Sequence, residues 1–187
     1  MNKIIYSVIL LLGILVFTAS DIDNLAASAF KNLQIPSIDP FLSLMANFAF
    51  LLLVMLAVPS YILYNENKKA AHLPLLAFLA SFALAFIIKL AVLRKRPVET
   101  INYPLISLIN YSFPSMHAMV AFSLLPVLAK HVPKLKAFWI VFASLVSFTR
   151  IYFSFHYLSD VFFGAMFGYF IGDWLLDMHV KGRLWKA

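Results

Sequence analysis

Apolar residues in this chain come in long runs, and the polar residues crowd into the gaps between them. Six stretches, about 4–20, 41–63, 73–93, 115–130, 136–155 and 160–178, approach the roughly 20 residues a helix needs to cross a bilayer. Six spans of about 20 residues use about 120 of the 187 positions, too many to leave room for a second folded unit. The pattern predicts an all-α fold: a polytopic membrane protein with a six-transmembrane-helix bundle in a single domain, 1–187. The fourth run is the shortest, cut off by Lys130 and His131. The first also has the layout of a signal peptide, with Lys3 before it and Thr18-Ala19-Ser20 after it. It is expected to stay as a helix.

Two gap segments carry patterns of their own. Within 21–35, Ile22, Leu25, Ala26, Ala29 and Leu33 recur at helical spacing, with Asp21 or Asp23 at the start and Pro36 at the end. This predicts a short helix lying at the membrane interface, or else an ordinary connecting helix. The segment 98–113 is longer than a tight turn and contains Pro104. A lid or lateral gate is the expectation there.

Composition supports the pattern. Hydrophobic residues make up 63% and charged residues 12% of the chain, against roughly 45–50% and 25% in soluble domains. A soluble fold of this size cannot hide so much apolar surface, which excludes a soluble globular enzyme and a disordered tail. With no cysteine, disulfides, thiolate metal sites and cysteine nucleophiles are excluded as well. The net charge of +7 sits in the gaps, so a membrane surface or anionic lipid is a better partner than nucleic acid.

Basic residues also set the orientation. Lys3, Lys68, Lys69, Lys130, Lys134, Lys136, Lys181, Arg183 and Lys186 fall on the side that holds both termini. Lys31, Lys89, Arg94, Lys95, Arg96 and Arg150 fall on the other. The first side is expected to be cytoplasmic, in a cell (inner or plasma) membrane. The second, facing the periplasm or exterior, is unusually basic for an outer side.

Three polar clusters account for that excess. Lys89, Arg96 and Pro97 close the third span; the first two are two helical turns apart and share a face. Such residues are also common as snorkelling side chains. Phe113-Pro114-Ser115-Met116-His117 opens the fourth span, where a helix N-terminus offers free N–H groups to an anion. Arg150, His156 and Asp160 join the fifth span to the sixth. His156 and Asp160 are four apart, one turn if helical, within reach of a hydrogen bond that would fix the histidine's tautomer. With alternating spans, all three clusters lie at one outer depth. Two arginines, a lysine, two histidines, a serine and a helix N-terminus suit a phosphoryl group. Two histidines and an aspartate also suit a metal, but three fixed cations would repel it. Gly164, Gly168 and Gly172 repeat every fourth residue along the sixth span, a spacing that lets helices approach closely. Asp173 and Asp177 fall toward its far end.

Taken in order, Lys-x(6)-Arg-Pro, Pro-Ser-x-His and Arg-x(5)-His-x(3)-Asp resemble the motifs of the type 2 phosphatidate phosphatase superfamily, the membrane lipid-phosphatase branch related to soluble vanadium haloperoxidases. The matching positions are Lys89, Arg96, Pro97, Pro114, Ser115, His117, Arg150, His156 and Asp160. Met116 stands where the family usually has glycine and keeps its N–H; Thr149 replaces a serine and keeps the hydroxyl.

The resemblance implies a metal-independent hydrolase without cofactors. His156 is the implied nucleophile, Asp160 its orienting partner and His117 the general acid and base. Lys89, Arg96, Ser115 and Arg150 are the implied phosphate ligands. The implied substrate is a membrane lipid bearing a phosphate or pyrophosphate: undecaprenyl pyrophosphate, phosphatidylglycerol phosphate, phosphatidate or lipid A 1-phosphate. Apart from the bilayer and that lipid, no nucleic acid and no obligate protein partner is expected. Three alternatives stay open: a phosphotransferase with a non-water acceptor, a vanadate-dependent haloperoxidase, and a non-catalytic transporter or scaffold.

Overall fold

A computed structural model describes residues 7, 20–31, 33, 35–98 and 110–184. Among these residues the chain forms helices and turns and no strand. In chain order they are α1 (Ser20–Lys31), α2 (Asp39–Ala46), α3 (Phe48–Leu52), α4 (Val58–Glu66), α5 (Leu73–Val92), α6 (Met116–Ser123), α7 (Leu125–His131), α8 (Lys136–Tyr152) and α9 (Leu158–Val180). The expected first span, 4–20, lies outside the described residues except for positions 7 and 20, as do residues 99–109 of the expected lid.

Four helical stretches are long and apolar enough to cross a membrane: Phe48–Glu66, Lys68–Val92, Pro133–Tyr152 and Leu158–Val180. They correspond to the second, third, fifth and sixth expected spans. Two of the expected spans are not continuous helices. The run 41–63 breaks at Asn47, whose backbone is extended and whose Oδ1 accepts from the Phe50 N–H at 3.1 Å to start the next helix. Further along, Leu53–Ala57 is wound as a π-turn between α3 and α4, just before Pro59. A proline ring crowds the carbonyl four residues earlier, and a wider turn relieves that. The run 115–130 likewise divides at Leu124 into α6 and α7, with Pro126 at the start of the second piece. Apolar run length does not report these interruptions, because it does not weigh a single capping or helix-breaking residue.

The core centres on α6, which touches α5, α8 and α9. Its closest neighbour is α9, and the glycine spacing is the reason. A Cβ on Gly164 would come within 2.5 Å of the Ser115 carbonyl oxygen. One on Gly168 would overlap the Met119 backbone, and one on Gly172 the Ser123 carbonyl. The stripe therefore lies along the whole of α6, backbone to backbone. Its upper end is also tied directly, because the Ser115 N–H donates to the Asp160 carbonyl at 3.0 Å. Large buried side chains, Met119, Leu124, Leu128, Trp139 and Val146 among them, fill the rest of this core.

A candidate phosphate-holding active site

The three motif clusters meet at one end of the bundle. A cavity of about 270 Å³ is lined there by Phe48, Phe82, Lys89, Arg96, Met116, His117, Arg150 and His156. A larger open groove of about 680 Å³ runs along Lys130, Phe170, Asp173, Trp174 and Asp177, but it brings together no comparable set of cations and imidazoles.

Three cations reach the smaller cavity, and main-chain carbonyls aim each of them. Lys89 is 1% exposed, and its Nζ donates to the Tyr111 carbonyl and, at 3.4 Å, to that of Ser112. Arg96 donates from Nε to the Asn110 carbonyl at 2.9 Å and from Nη1 to that of Phe155 at 3.1 Å. Arg150, 6% exposed, donates from Nη1 to the Ala46 carbonyl at 3.1 Å and lies over the Phe155 ring. Among the described residues none of the three is within ion-pair distance of a carboxylate. Buried cations normally have an anionic partner, so this set is built to receive one.

The polar atoms nearby fit the same purpose. Ser115 Oγ, His117 Nε2 and Arg150 Nε are buried without a hydrogen-bond partner among the described residues. Ser115 stands at the N-cap of α6, but its hydroxyl makes no capping bond. The break at Asn47 frees the Ala46 carbonyl, which faces both Arg150 and the His117 ring. Phe48 sits edge-on to that ring at 5.2 Å between centroids. Met116, in the usual glycine position, lines the cavity. The Thr149 hydroxyl donates within α8 to the Val146 carbonyl, 2.7 Å away.

His156 and Asp160 come together differently from the one-turn helical pair expected. His156 lies in the turn before α9, where its N–H donates to the Arg150 carbonyl at 3.1 Å. Asp160 is in the first turn of α9, and its Oδ2 accepts from the Tyr157 N–H at 2.8 Å. His156 Nδ1 is 3.6 Å from Asp160 Oδ2, longer than a hydrogen bond. Ser112 fills the gap: its hydroxyl donates to Asp160 Oδ2 and stands 3.4 Å from His156 Nδ1. The other oxygen, Asp160 Oδ1, accepts from Arg94 at 2.8 Å. Arg94, Ser112, Ser159 and Asp23 were not expected at the site. Arg94 stands in the basic run before Arg96, and Asp23, one of two cap candidates with Asp21 for the 21–35 helix, is buried.

Burial first, and then the positive charges of Arg96, Lys89 and Arg150, hold the His156 imidazole well below the ordinary histidine range. The ring is therefore uncharged at neutral pH, the form a nucleophile needs. Unfolding would let it take up a proton, so its stabilising contribution is present above about pH 6.5 and is lost as the pH falls below that value. Carbethoxylation by diethyl pyrocarbonate, which requires uncharged imidazole, should proceed at His156 with no loss of rate through pH 6.5. Peptide mass spectrometry measures it, and half-loss of the His156 signal at that pH would contradict the burial argument.

Long apolar helices and a cation-lined cavity at one end of the bundle define a multi-pass membrane protein. Residues 70–183 match the profile of the PAP2 superfamily, and the chain belongs to that superfamily. Its fold is similar to the crystal structure of a transmembrane PAP2-type phosphatidylglycerolphosphate phosphatase from Bacillus subtilis. The TM-score is 0.74 at 21% sequence identity, over 94% of this chain and 96% of that one.

Proposed function

We propose that the protein is a metal-independent lipid-phosphate phosphohydrolase that works at the outer leaflet through a phosphohistidine. The observation that carries this reading is the cavity itself: three cations without described carboxylate partners, Lys89 and Arg150 buried and Arg96 partly so, share it with two imidazoles.

In the first step His156 attacks phosphorus in line. Its Nδ1 side faces Ser112 and Asp160, which leaves Nε2 for the new N–P bond. The P–O bond to the lipid breaks as His117 gives its proton to the departing oxygen. Lys89, Arg96 and Arg150 neutralise the equatorial oxygens, assisted by the Ser115 hydroxyl. In the second step His117 takes a proton from water, the water oxygen attacks phosphorus, and the N–P bond breaks to release phosphate. Asp160 balances the positive charge on His156 throughout. Because Asp160 is already committed to Arg94, Ser112 and the Tyr157 N–H, it is a poor metal ligand, which favours the metal-independent route.

The substrate is a lipid phosphate or pyrophosphate of the four kinds named above. Phosphatidylglycerol phosphate is the first to test, since that is what the structural neighbour is named for. The architecture proposed for this function is a single domain of six spans with both termini cytoplasmic, the first span at 4–20, and α1 at the outer interface.

Phosphate release from a panel of these lipids tests the reading. Activity is expected to survive a chelator and to be blocked by vanadate, which mimics the five-coordinate phosphorus. Loss of activity on chelation would point to a metal enzyme instead.

A further inference from the structure

Arg94 and Asp23 belong to none of the three motifs, yet they form the most highly connected ionic cluster among the described residues. Arg94 Nη1 donates to Asp160 Oδ1 at 2.8 Å and to Ser159 Oγ at 2.7 Å, while Nη2 donates to Asp23 Oδ2 at 2.7 Å. Its guanidinium lies 4.1 Å from the centroid of the Tyr157 ring. Asp23 is 1% exposed, although its neighbours Ile22 and Asn24 on α1 are exposed. It accepts from the Ser159 N–H at 2.9 Å and also from the Ser159 hydroxyl. The same helix is fixed to α8 by Phe30, edge-on to Phe148 at 5.6 Å.

From this geometry we infer that Arg94 and Asp23 are positioning residues for the reaction proposed above, setting the orientation of Asp160 and through it that of His156. A carboxylate turns easily about its last torsion. Here each oxygen has a separate task. Oδ2 faces Ser112, the Tyr157 N–H and His156, while Oδ1 is held by Arg94. Arg94 is itself held flat between two carboxylates, a serine and an aromatic ring, and a guanidinium fork does this where an ammonium does not. Asp23 keeps that fork from turning away, so the chain of control runs from α1 to the nucleophile. Arg96, two residues on, is bound instead to the Asn110 and Phe155 carbonyls and lines the cavity. The two arginines thus divide the work: Arg96 faces the phosphate and Arg94 the group that steers the attacking ring.

The test uses the full-length protein in detergent or proteoliposomes with the lipid phosphate it hydrolyses best. Arg94→Gln is expected to lower kcat by about 10- to 100-fold, the range for loss of a group that orients a reactive one. KM should hold within about twofold, because the phosphate ligands are untouched. Asp23→Asn should lower kcat less, and Asp23→Asn combined with Arg94→Gln should cost no more than Arg94→Gln alone, since both act through Asp160. In an Asp160→Asn background Arg94→Gln should cost little further. Arg94→Lys keeps the charge but not the fork, and its kcat should fall between wild type and Arg94→Gln. It also carries the test if the glutamine variant does not fold.

A purely structural role would lower the unfolding temperature while leaving kcat per folded molecule unchanged, and that result overturns the inference. So does a loss from Arg94→Gln that is equally large with and without Asp160. If the unsubstituted protein releases no phosphate from any lipid tested, the functional reading fails and this inference falls with it. An active wild type with unaltered Arg94 variants overturns the inference alone.

Discussion

Replacing His156 with alanine is expected to abolish phosphate release, lowering kcat by about 10⁴-fold or more, the scale seen when a nucleophile is removed. The fold should survive. The His156 main-chain N–H keeps its bond to the Arg150 carbonyl, and Ser112 keeps its bond to Asp160. Binding should survive too, because Lys89, Arg96 and Arg150 are aimed by carbonyls that the substitution does not touch. The informative comparison is therefore turnover against affinity for vanadate or a slowly hydrolysed lipid phosphate, with thermal unfolding as a control. Wild-type turnover in the alanine variant would remove His156 from the reaction and with it the phosphohistidine.

The second large effect is expected far from the reacting atoms. Gly168→Leu places a branched side chain where even a Cβ would overlap the Met119 backbone. Flexible side chains can give way; a helix backbone can do so only by moving as a unit, so α6 and α9 would have to separate. Overpacking usually costs about 1–3 kcal/mol, and a clash with main chain belongs at or above the top of that range. Activity should fall along with stability. Ser115 and His117 ride on the start of α6 and Asp160 on the start of α9, and the Ser115 N–H to Asp160 carbonyl bond spans the same interface. Thermal unfolding in detergent, measured beside phosphate release, decides the matter. Gly168→Ala should show a smaller change in the same direction. Unchanged stability and activity in the leucine variant would mean that the glycines are not what brings the two helices together.

The membrane class, the helical content and the convergence of three motifs at one end of the bundle were all legible along the chain. Each depends on residue type and spacing: apolar run length sets a span, and alternating spans put every second end on one side. Lys89, Arg96, His117, Arg150 and His156 line one cavity for that reason. Helix continuity was not legible. The runs 41–63 and 115–130 are apolar on average, and run length does not weigh the single residues, Asn47 and Pro126, that stand at the breaks. The break at Asn47 nonetheless supplies the Ala46 carbonyl that holds Arg150.

Likewise, the spacing of four between His156 and Asp160 predicted a direct bond that the turn at Tyr157 lengthens to 3.6 Å, with Ser112 in between. Ser112 and Asp23 reach Asp160 across 48 and 137 positions of sequence, Asp23 by way of Arg94. Sequence by itself determined the solvent this protein lives in and the chemical types gathered at one end of the bundle, because hydropathy and charge are properties of single residues and short windows. Only the tertiary structure decided which oxygen of Asp160 faces which partner. That choice depends on the angles at which α1, α5, α6 and α9 meet, and those angles come from the glycine contacts and the buried ion pairs acting together.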